Sequence, residues 1–506
     1  MKRRDLLKGS AAAVAAGVVP WLGGCAPAGA PVNGPAPSDR IPVGRARNVI
    51  FFAYDGLTYE DLGTARYYAQ RHMDGRMLEI ERLMRRGSSG SMLPHSLTAV
   101  VTDSAAATTA WSTGRKVVNG ALAMYPGERP LTHILELAKD DGRATGLITT
   151  TRLTHATPAG WASKVPDRGM EDEIAAQYLD FGPDLLLGGG ARFFHPAGRA
   201  DGRDLFSEFR QRGYSILRSA ADLRATNGSR LLGAFTDDHL PYEVDRRFQG
   251  VEAPSLADMV RRGLDVLNGN PRGFVVQVEA GRIDHANHGN DPGGALWDIL
   301  AADEALTAMV EWVDRNPDTV LILASDHGTG SGAVYGAGPG YLRSSPAFDR
   351  IDRYRASYEH VLRTIGENPP PDQLRRTVRE FFGVNLSDQQ LRQASEVMER
   401  RLAPAHPLAH RSNPGNAFHW LLTIGNEAEP EALNLNYATG AHTAGPVPVL
   451  VYGAGTTAAG LGVVDNTELF GWMLHALGIR FENPMLTEAD ALRMTAGEPE
   501  RELVML

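Results

Sequence analysis

A chain of 506 residues, 43% hydrophobic and 22% charged, has room for one large domain with insertions and the balance of a globular enzyme with a sizeable core. Its formal net charge is -9, and -12 once the first 24 residues, which carry +3, are set aside. So acidic a body argues against a nucleic-acid-binding surface, yet it leaves room for a small anionic substrate, because bound cations reverse the local field at a site.

The N-terminus has the layout of an export signal. Lys2-Arg3-Arg4-Asp5-Leu6-Leu7-Lys8 is a basic segment with twin arginines, and Ala11 to Trp21 is a small-residue apolar stretch too short to span a bilayer. Leu22-Gly23-Gly24-Cys25 resembles a bacterial lipobox. Residues 1–24 are therefore expected to be a twin-arginine-type signal peptide, with Cys25 the lipidated first residue of a periplasmic or membrane-anchored lipoprotein. The alternative is a cleaved periplasmic protein in which Cys25 is incidental. Cys25 is the only cysteine, so no intrachain disulfide can form. Residues 25–44, rich in Pro, Gly and Ala and without apolar periodicity, read as a flexible linker.

From residue 45 onward, short continuous apolar runs alternate with amphipathic segments. That pattern predicts an α/β three-layer sandwich, a large mostly parallel sheet between helices. Val49–Ala53 leads into Asp55-Gly56, Thr145–Thr150 into His155-Ala156-Thr157, Phe274–Val278 into Glu279, and Thr319–Ala324 into Asp326-His327-Gly328. In open α/β sheets, sites form outside the carboxyl ends of strands, which is where these four polar groups fall. His442 instead precedes its run, Val447–Tyr452, and needs a loop to reach the others.

Between the first two runs, Thr102-Asp103-Ser104-Ala105 is followed by small helix-favouring residues. Ser104 is expected to open a helix, where free N–H groups and the dipole attract an anion. Asp103 or Ser104 can equally be the cap of that helix, and the two readings are compatible. After the third run, Asp284-His285-Ala286-Asn287-His288 places Asp284 and His288 one helical turn apart on one face, as paired metal ligands require. Three Asp, one Glu, three His and a Thr hydroxyl exceed what a single tetrahedral ion can use, so more than one metal is expected. Histidine-rich groups favour zinc, and oxygen-only groups favour magnesium.

Residues 331–440 read as a helical insertion. Leu374, Val378, Phe381 and Phe382 have helical spacing, and Ser387 with Gln390 forms a capping box, with Leu386 and Leu391 as a staple, before a second helix ending near Leu402. The apolar stripes pack the two helices together or form a lid, a crown or a dimer contact. Trp420 in this segment is open to the same two readings, and His406, His410 and His419 are read as structural or exposed.

The motifs Tyr54-Asp55-Gly56, Thr102-Asp103-Ser104-Ala105, Thr149 through Ala159, Leu187-Gly188-Gly189-Gly190, Glu279 through His285 with His288, Asp326-His327 and His442-Thr443 together resemble the metal-dependent alkaline phosphatase family. The resemblance implies Asp284, His288 and His442 on one zinc, and Asp326, His327, Asp55 and Ser104 on a second. Asp55, Thr157 and Glu279 are then on a third ion, usually magnesium, with His155 beside it. It further implies Ser104 as nucleophile, forming a phosphoserine, and Arg168, eleven residues after Thr157, as the phosphate clamp. Small phosphate monoesters as substrates and a homodimer follow from the same likeness. His155 and His285 depart from the best-known bacterial pattern and leave the third ion's identity open. A diesterase, phosphonate hydrolase or sulfatase on a related scaffold, or a non-catalytic phosphate binder, is the competing reading. The retained serine and arginine, and the absence of a Cys/Ser-x-Pro-x-Arg motif around Ser104, argue against these.

Overall fold

The computed structural model describes residues 41–336, 340–366, 369–392 and 435–496. The signal segment, most of the linker, the second insertion helix beyond residue 392, and His406, His410, His419 and Trp420 lie outside the described residues. Among the described residues, ten strands form one large sheet. They are β1 (Asn48–Tyr54), β2 (Ser88–Leu93), β3 (Ala144–Arg152), β4 (Leu185–Gly189), β5 (Ser215–Leu217), β6 (Leu231–Ala234), β7 (Phe274–Ala280), β8 (Thr319–Ser325), β9 (Val447–Gly453) and β10 (Gly460–Asp465). Their order is β10-β2-β9-β8-β1-β7-β3-β4-β6-β5.

Every neighbouring pair is parallel except those of β9, which runs antiparallel to both β8 and β2. The reversal resolves the exception met in the sequence. Because β9 runs backwards, with Val449 opposite Ala324 and Gly453 opposite Val320, its amino end lies beside the carboxyl ends of its neighbours. His442 therefore starts on the same edge as the other candidate ligands.

Central strands with both faces covered need apolar residues at every position, and β1, β7, β8 are buried throughout. Alternate residues point to opposite layers. Ile50 and Phe52 join one core with Val276, Leu323 and residues of helices α1 (Tyr59–His72), α4 (Leu256–Leu267) and α6 (Pro292–Arg315). Val49, Phe51 and Ala53 join the other with Val275, Ile322 and residues of α2 (Ser104–Thr113) and α9 (Glu468–Leu477). Phe51 sits between Trp111 and Trp161, with ring centroids 4.9 and 4.8 Å away. This is the three-layer arrangement expected from the alternation of runs.

The described part of the insertion packs on the first core. Its helices α7 (Tyr358–Ile365) and α8 (Pro371–Phe382) contribute Val361, Ile365, Leu374, Val378 and Phe382, and Leu386 and Leu391 are buried with them. Ser387 and Gln390 exchange the two hydrogen bonds of a capping box. Asp291 ties this segment to α6. It caps α6 by accepting from the N–H groups of Gly293 and Gly294 at 3.1 and 2.9 Å, and its other oxygen accepts from the Tyr358 N–H at 2.7 Å. Asp291→Ala leaves three buried donors without that acceptor, so it is expected to lower unfolding stability by about 2–4 kcal/mol, measured by chemical denaturation.

Candidate active site

Each of the four apolar runs ends at the same sheet edge, and there the chain turns polar. Asp55 follows β1, Glu279 is the penultimate residue of β7, and Asp326 with His327 follows β8. His155 and Thr157 stand where β3 turns into the short helix α3 (Ala156–Ala159). Asp284 and His288 are carried one turn apart on α5 (Arg282–His288). Gly56, at φ +71°, permits the close approach of β1 to that helix, since a Cβ there would lie 2.8 Å from the Asp284 Cα and Oδ1. Every residue named from the sequence as a ligand or catalyst is buried.

The side chains fall into three groups whose ligand atoms lie within 4.8 Å of one another: Asp284, His288 and His442; Asp55, Asp326 and His327; and Asp55, His155 and Glu279. Thr157 joins the last, its Oγ1 3.3 Å from Asp55 Oδ2. His155 thus stands with the third group's carboxylates.

Hydrogen bonding aims the imidazoles. His442 Nδ1 donates to the Thr102 carbonyl at 2.9 Å and His288 Nδ1 to the Gly440 carbonyl at 2.8 Å, because a carbonyl can only accept. Both Nε2 lone pairs therefore face each other, 3.1 Å apart, with Asp284 Oδ2 3.3 Å from that of His288. Three electron-pair donors converging in a buried space fit a cation, and the backbone contacts match the orientation that metal-binding histidines show. His442 is itself held by pairing of His442-Thr443 with Gly328-Thr329, in which His442 opposes Thr329.

The second group is oriented by Thr329. Its hydroxyl donates to Asp284 Oδ1, so it accepts from His327 Nδ1 at 3.2 Å, and the lone pair of His327 sits on Nε2. That nitrogen lies 3.0 Å from Asp326 Oδ2, 3.8 Å from Asp55 Oδ1 and 3.2 Å from Ser104 Oγ. Ser104 is the first residue of α2, and Asp103 caps that helix through the Ala106 N–H at 3.0 Å. The cap and the candidate nucleophile are thus adjacent residues with separate tasks. The other oxygen of Asp103 accepts from Arg168 at 3.1 Å, while a second Arg168 nitrogen donates to His155 Nε2 at 3.1 Å. The guanidinium is fixed next to Ser104.

Four carboxylates, Asp55, Glu279, Asp284 and Asp326, are wholly or almost wholly buried here. Burial, and then Asp326, Asp284 and Glu279, push the Asp55 carboxyl well above the usual range. Burial pushes Glu279 up to about 7, against hydrogen bonds from Thr149 and others that lower it. Asp55 Oδ1 and Glu279 Oε1 have no hydrogen-bond partner among the described residues. Crowded, unsatisfied acceptors of this kind are costly unless cations neutralise them, so the residues present fit metal ions.

Several contributors were not singled out from the sequence. Thr329 couples two groups, and Thr149 and Thr151 donate to Glu279. His239 is stacked edge-on with His155 and His285, at centroid distances of 5.5 and 4.4 Å. Thr149 and Thr151 lie inside the Thr149 through Ala159 motif and Thr329 just after Asp326-His327, whereas His239 has no such signal.

A family model described as alkaline phosphatase matches residues 46–347. The crystal structure of Thermus thermophilus alkaline phosphatase superposes with a TM-score of 0.86 at 46% identity, over 89% of this chain and 95% of that one. The Schizosaccharomyces pombe alkaline phosphatase is 30% identical over 84% of this chain and 80% of its own length. The repressible alkaline phosphatase of Saccharomyces cerevisiae is 37% identical over 56% of this chain, a match that spans 55% of the yeast protein.

Proposed function

Because this chain belongs to the alkaline phosphatase family, we propose that it hydrolyses phosphate monoesters through a phosphoserine on Ser104, with Asp284, His288 and His442 holding one zinc, Asp55, Asp326 and His327 a second, and Asp55, His155, Thr157 and Glu279 a third ion. The observation that carries it is the convergence of Ser104 Oγ, Arg168 and three metal-binding groups at one sheet edge.

Cations in these groups would lower the pKa of the serine hydroxyl and stabilise charge developing on the leaving oxygen. The chain's own residues supply the rest. Ser104 is held at a helix start, where backbone N–H groups and the dipole favour an anion. Its Oγ lies 3.2 Å from His327 Nε2, which places the attacking oxygen beside the second metal-binding group. The phosphoryl group passes to Oγ as the ester oxygen leaves with a proton, and water then cleaves the Oγ–P bond to release inorganic phosphate. Arg168, anchored by Asp103, offers two N–H groups to the equatorial oxygens in both steps. His155 brings an imidazole to a group otherwise built of oxygens, which favours a transition metal in the third position as well as magnesium.

Arg168→Ala is expected to lower kcat/KM by about 10²-fold or more and to weaken inhibition by inorganic phosphate, and Arg168→Lys to recover little, since a point charge cannot bridge two oxygens. The experiment for the whole reading is p-nitrophenyl phosphate hydrolysis by the form lacking residues 1–25, with zinc and magnesium. Fast turnover supports a monoesterase, and preference for bis-p-nitrophenyl phosphate supports a diesterase instead.

The same reading extends to the cell. Twin arginines and the lipobox-like Leu22-Gly23-Gly24-Cys25 support export and anchoring of the catalytic body by a lipidated Cys25 on the linker. No helix among the described residues is long and apolar enough to cross a membrane. A homodimer is proposed by analogy with the family.

A further inference from the structure

A cavity of about 400 Å³ adjoins the candidate site on the far side of His155 and His285, and nothing in the proposed reaction uses it. Arg168 reaches His155, whose ring centroid is 5.3 Å from that of His285, and His285 forms part of the cavity wall. The opposite wall comes from the insertion, through Tyr358 and Glu359 at the start of α7 and Arg363 in its last turn. The space is therefore two side chains from the phosphate clamp and is closed by a segment that the reaction itself does not need.

Its chemistry is rich in hydrogen-bond donors. Arg152, Arg192, Arg282 and Arg363 all line it. Their carboxylate partners are shared. Asp238 accepts from both Arg152 and Arg192, Glu359 from both Arg282 and Arg363, and Glu171, behind the wall, takes a further pair of bonds from Arg152. The remaining acid, Asp291, spends its oxygens on three backbone N–H groups.

Two buried donors stay unsatisfied. Arg282 is 3% exposed and its guanidinium lies 3.7 Å over the Tyr242 ring; it gives Nη1 to His285 and Nη2 to Glu359, but its Nε has no partner. His285 is 4% exposed, and because its Nδ1 accepts from Arg282 at 2.6 Å, the ring hydrogen is on Nε2, which also has no partner. Buried donors without acceptors are rare in folded proteins, and both belong to side chains that line this cavity.

The geometry points to a second anion subsite, in which Arg282, His285, Arg152 and the mouth residues Arg192 and Arg363 hold an additional phosphate or carboxylate on the alcohol portion of the substrate. The favoured substrates, resting on the monoesterase reading above, are then monoesters with a second anionic group, bisphosphorylated compounds foremost. A ligand that brings its own negative charge here meets the guanidinium groups that line the cavity, while a neutral alcohol does not.

The test compares kcat/KM for the monophosphates of propane-, butane- and pentanediol with the corresponding bisphosphates and with chains of the same length ending in carboxylate. For at least one length the bisphosphate is expected to exceed the monophosphate by about tenfold, well beyond the twofold that two equivalent phosphates give. This ratio is expected to fall toward two in an Arg192→Glu/Arg363→Glu variant. A gain shared by the carboxylates assigns the pocket to anions in general, and a gain confined to the bisphosphates assigns it to phosphate. A ratio of two at every length, or one unchanged in the variant, overturns the subsite. If no ester turns over, the monoesterase reading fails on its own. Calorimetric binding of the matching bisphosphonates to the metal-loaded protein then decides the subsite: affinity lost in the variant supports it, and unchanged affinity overturns it.

Discussion

Ser104→Ala is expected to lower kcat/KM for p-nitrophenyl phosphate by about 10⁴-fold or more while leaving metal content and thermal unfolding close to those of the parent. The hydroxyl belongs to the residue next to Asp103, the carboxylate that anchors Arg168, and it can carry a phosphoryl group covalently. It is poised 3.2 Å from His327 Nε2 at the first position of α2. Removing one oxygen from this buried position takes away the nucleophile but none of the Asp and His ligands, and the Asp103 cap on the Ala106 N–H remains. A binding protein that merely retains phosphate would lose little on this substitution. Steady-state kinetics together with metal analysis of the same preparation separates the two, since a loss of zinc would move the cause from chemistry to assembly.

Removal of metal is the second large effect. Chelation is expected to reduce turnover to background and, relative to protein at metal concentrations about 1,000 times the dissociation constant, to cost about 4 kcal/mol of stability. The reason is the burial of Asp55, Glu279, Asp284 and Asp326 around shared spaces, where cations supply the missing counter-charge. The pH dependence follows from the direction of the shifts. Without metal, burial raises Asp55 well above the usual carboxyl range and Glu279 to about 7. A raised carboxyl adds stability that is complete below its unfolded pKa, about 4, and that is lost as pH rises through the folded value. Relative to the loaded protein, the metal-free protein therefore weakens toward pH 8. The gap in Tm between the two is expected to widen from pH 6 to pH 8, as differential scanning calorimetry measures, and a gap that narrows contradicts this account of the cluster.

The parallel strands and the groups at their carboxyl ends were legible because a fully buried strand needs an unbroken apolar run, and the run ends where the chain must become polar. The helix carrying Asp284 and His288 was legible from their four-residue spacing. The direction of β9 was not, since an apolar run reads the same both ways; its reversal depends on pairing with β2 and β8 and is what brings His442 to the site. The Thr329 relay was hidden for a similar reason. It exists because two short segments, Gly328-Thr329 and His442-Thr443, pair across more than a hundred residues of chain. His239 and the α7 wall of the cavity come from segments with no motif of their own, so composition and spacing gave no reason to place them beside His285.

The most direct measurement is acid quenching of the zinc- and magnesium-loaded enzyme during turnover of a phosphate monoester at mildly acidic pH, followed by peptide mass spectrometry. Phosphate is expected on Ser104, absent from the Ser104→Ala variant and from chelated protein. Turnover with no phosphorylated Ser104 at any quench time, or with phosphate on another residue, would contradict the phosphoserine mechanism.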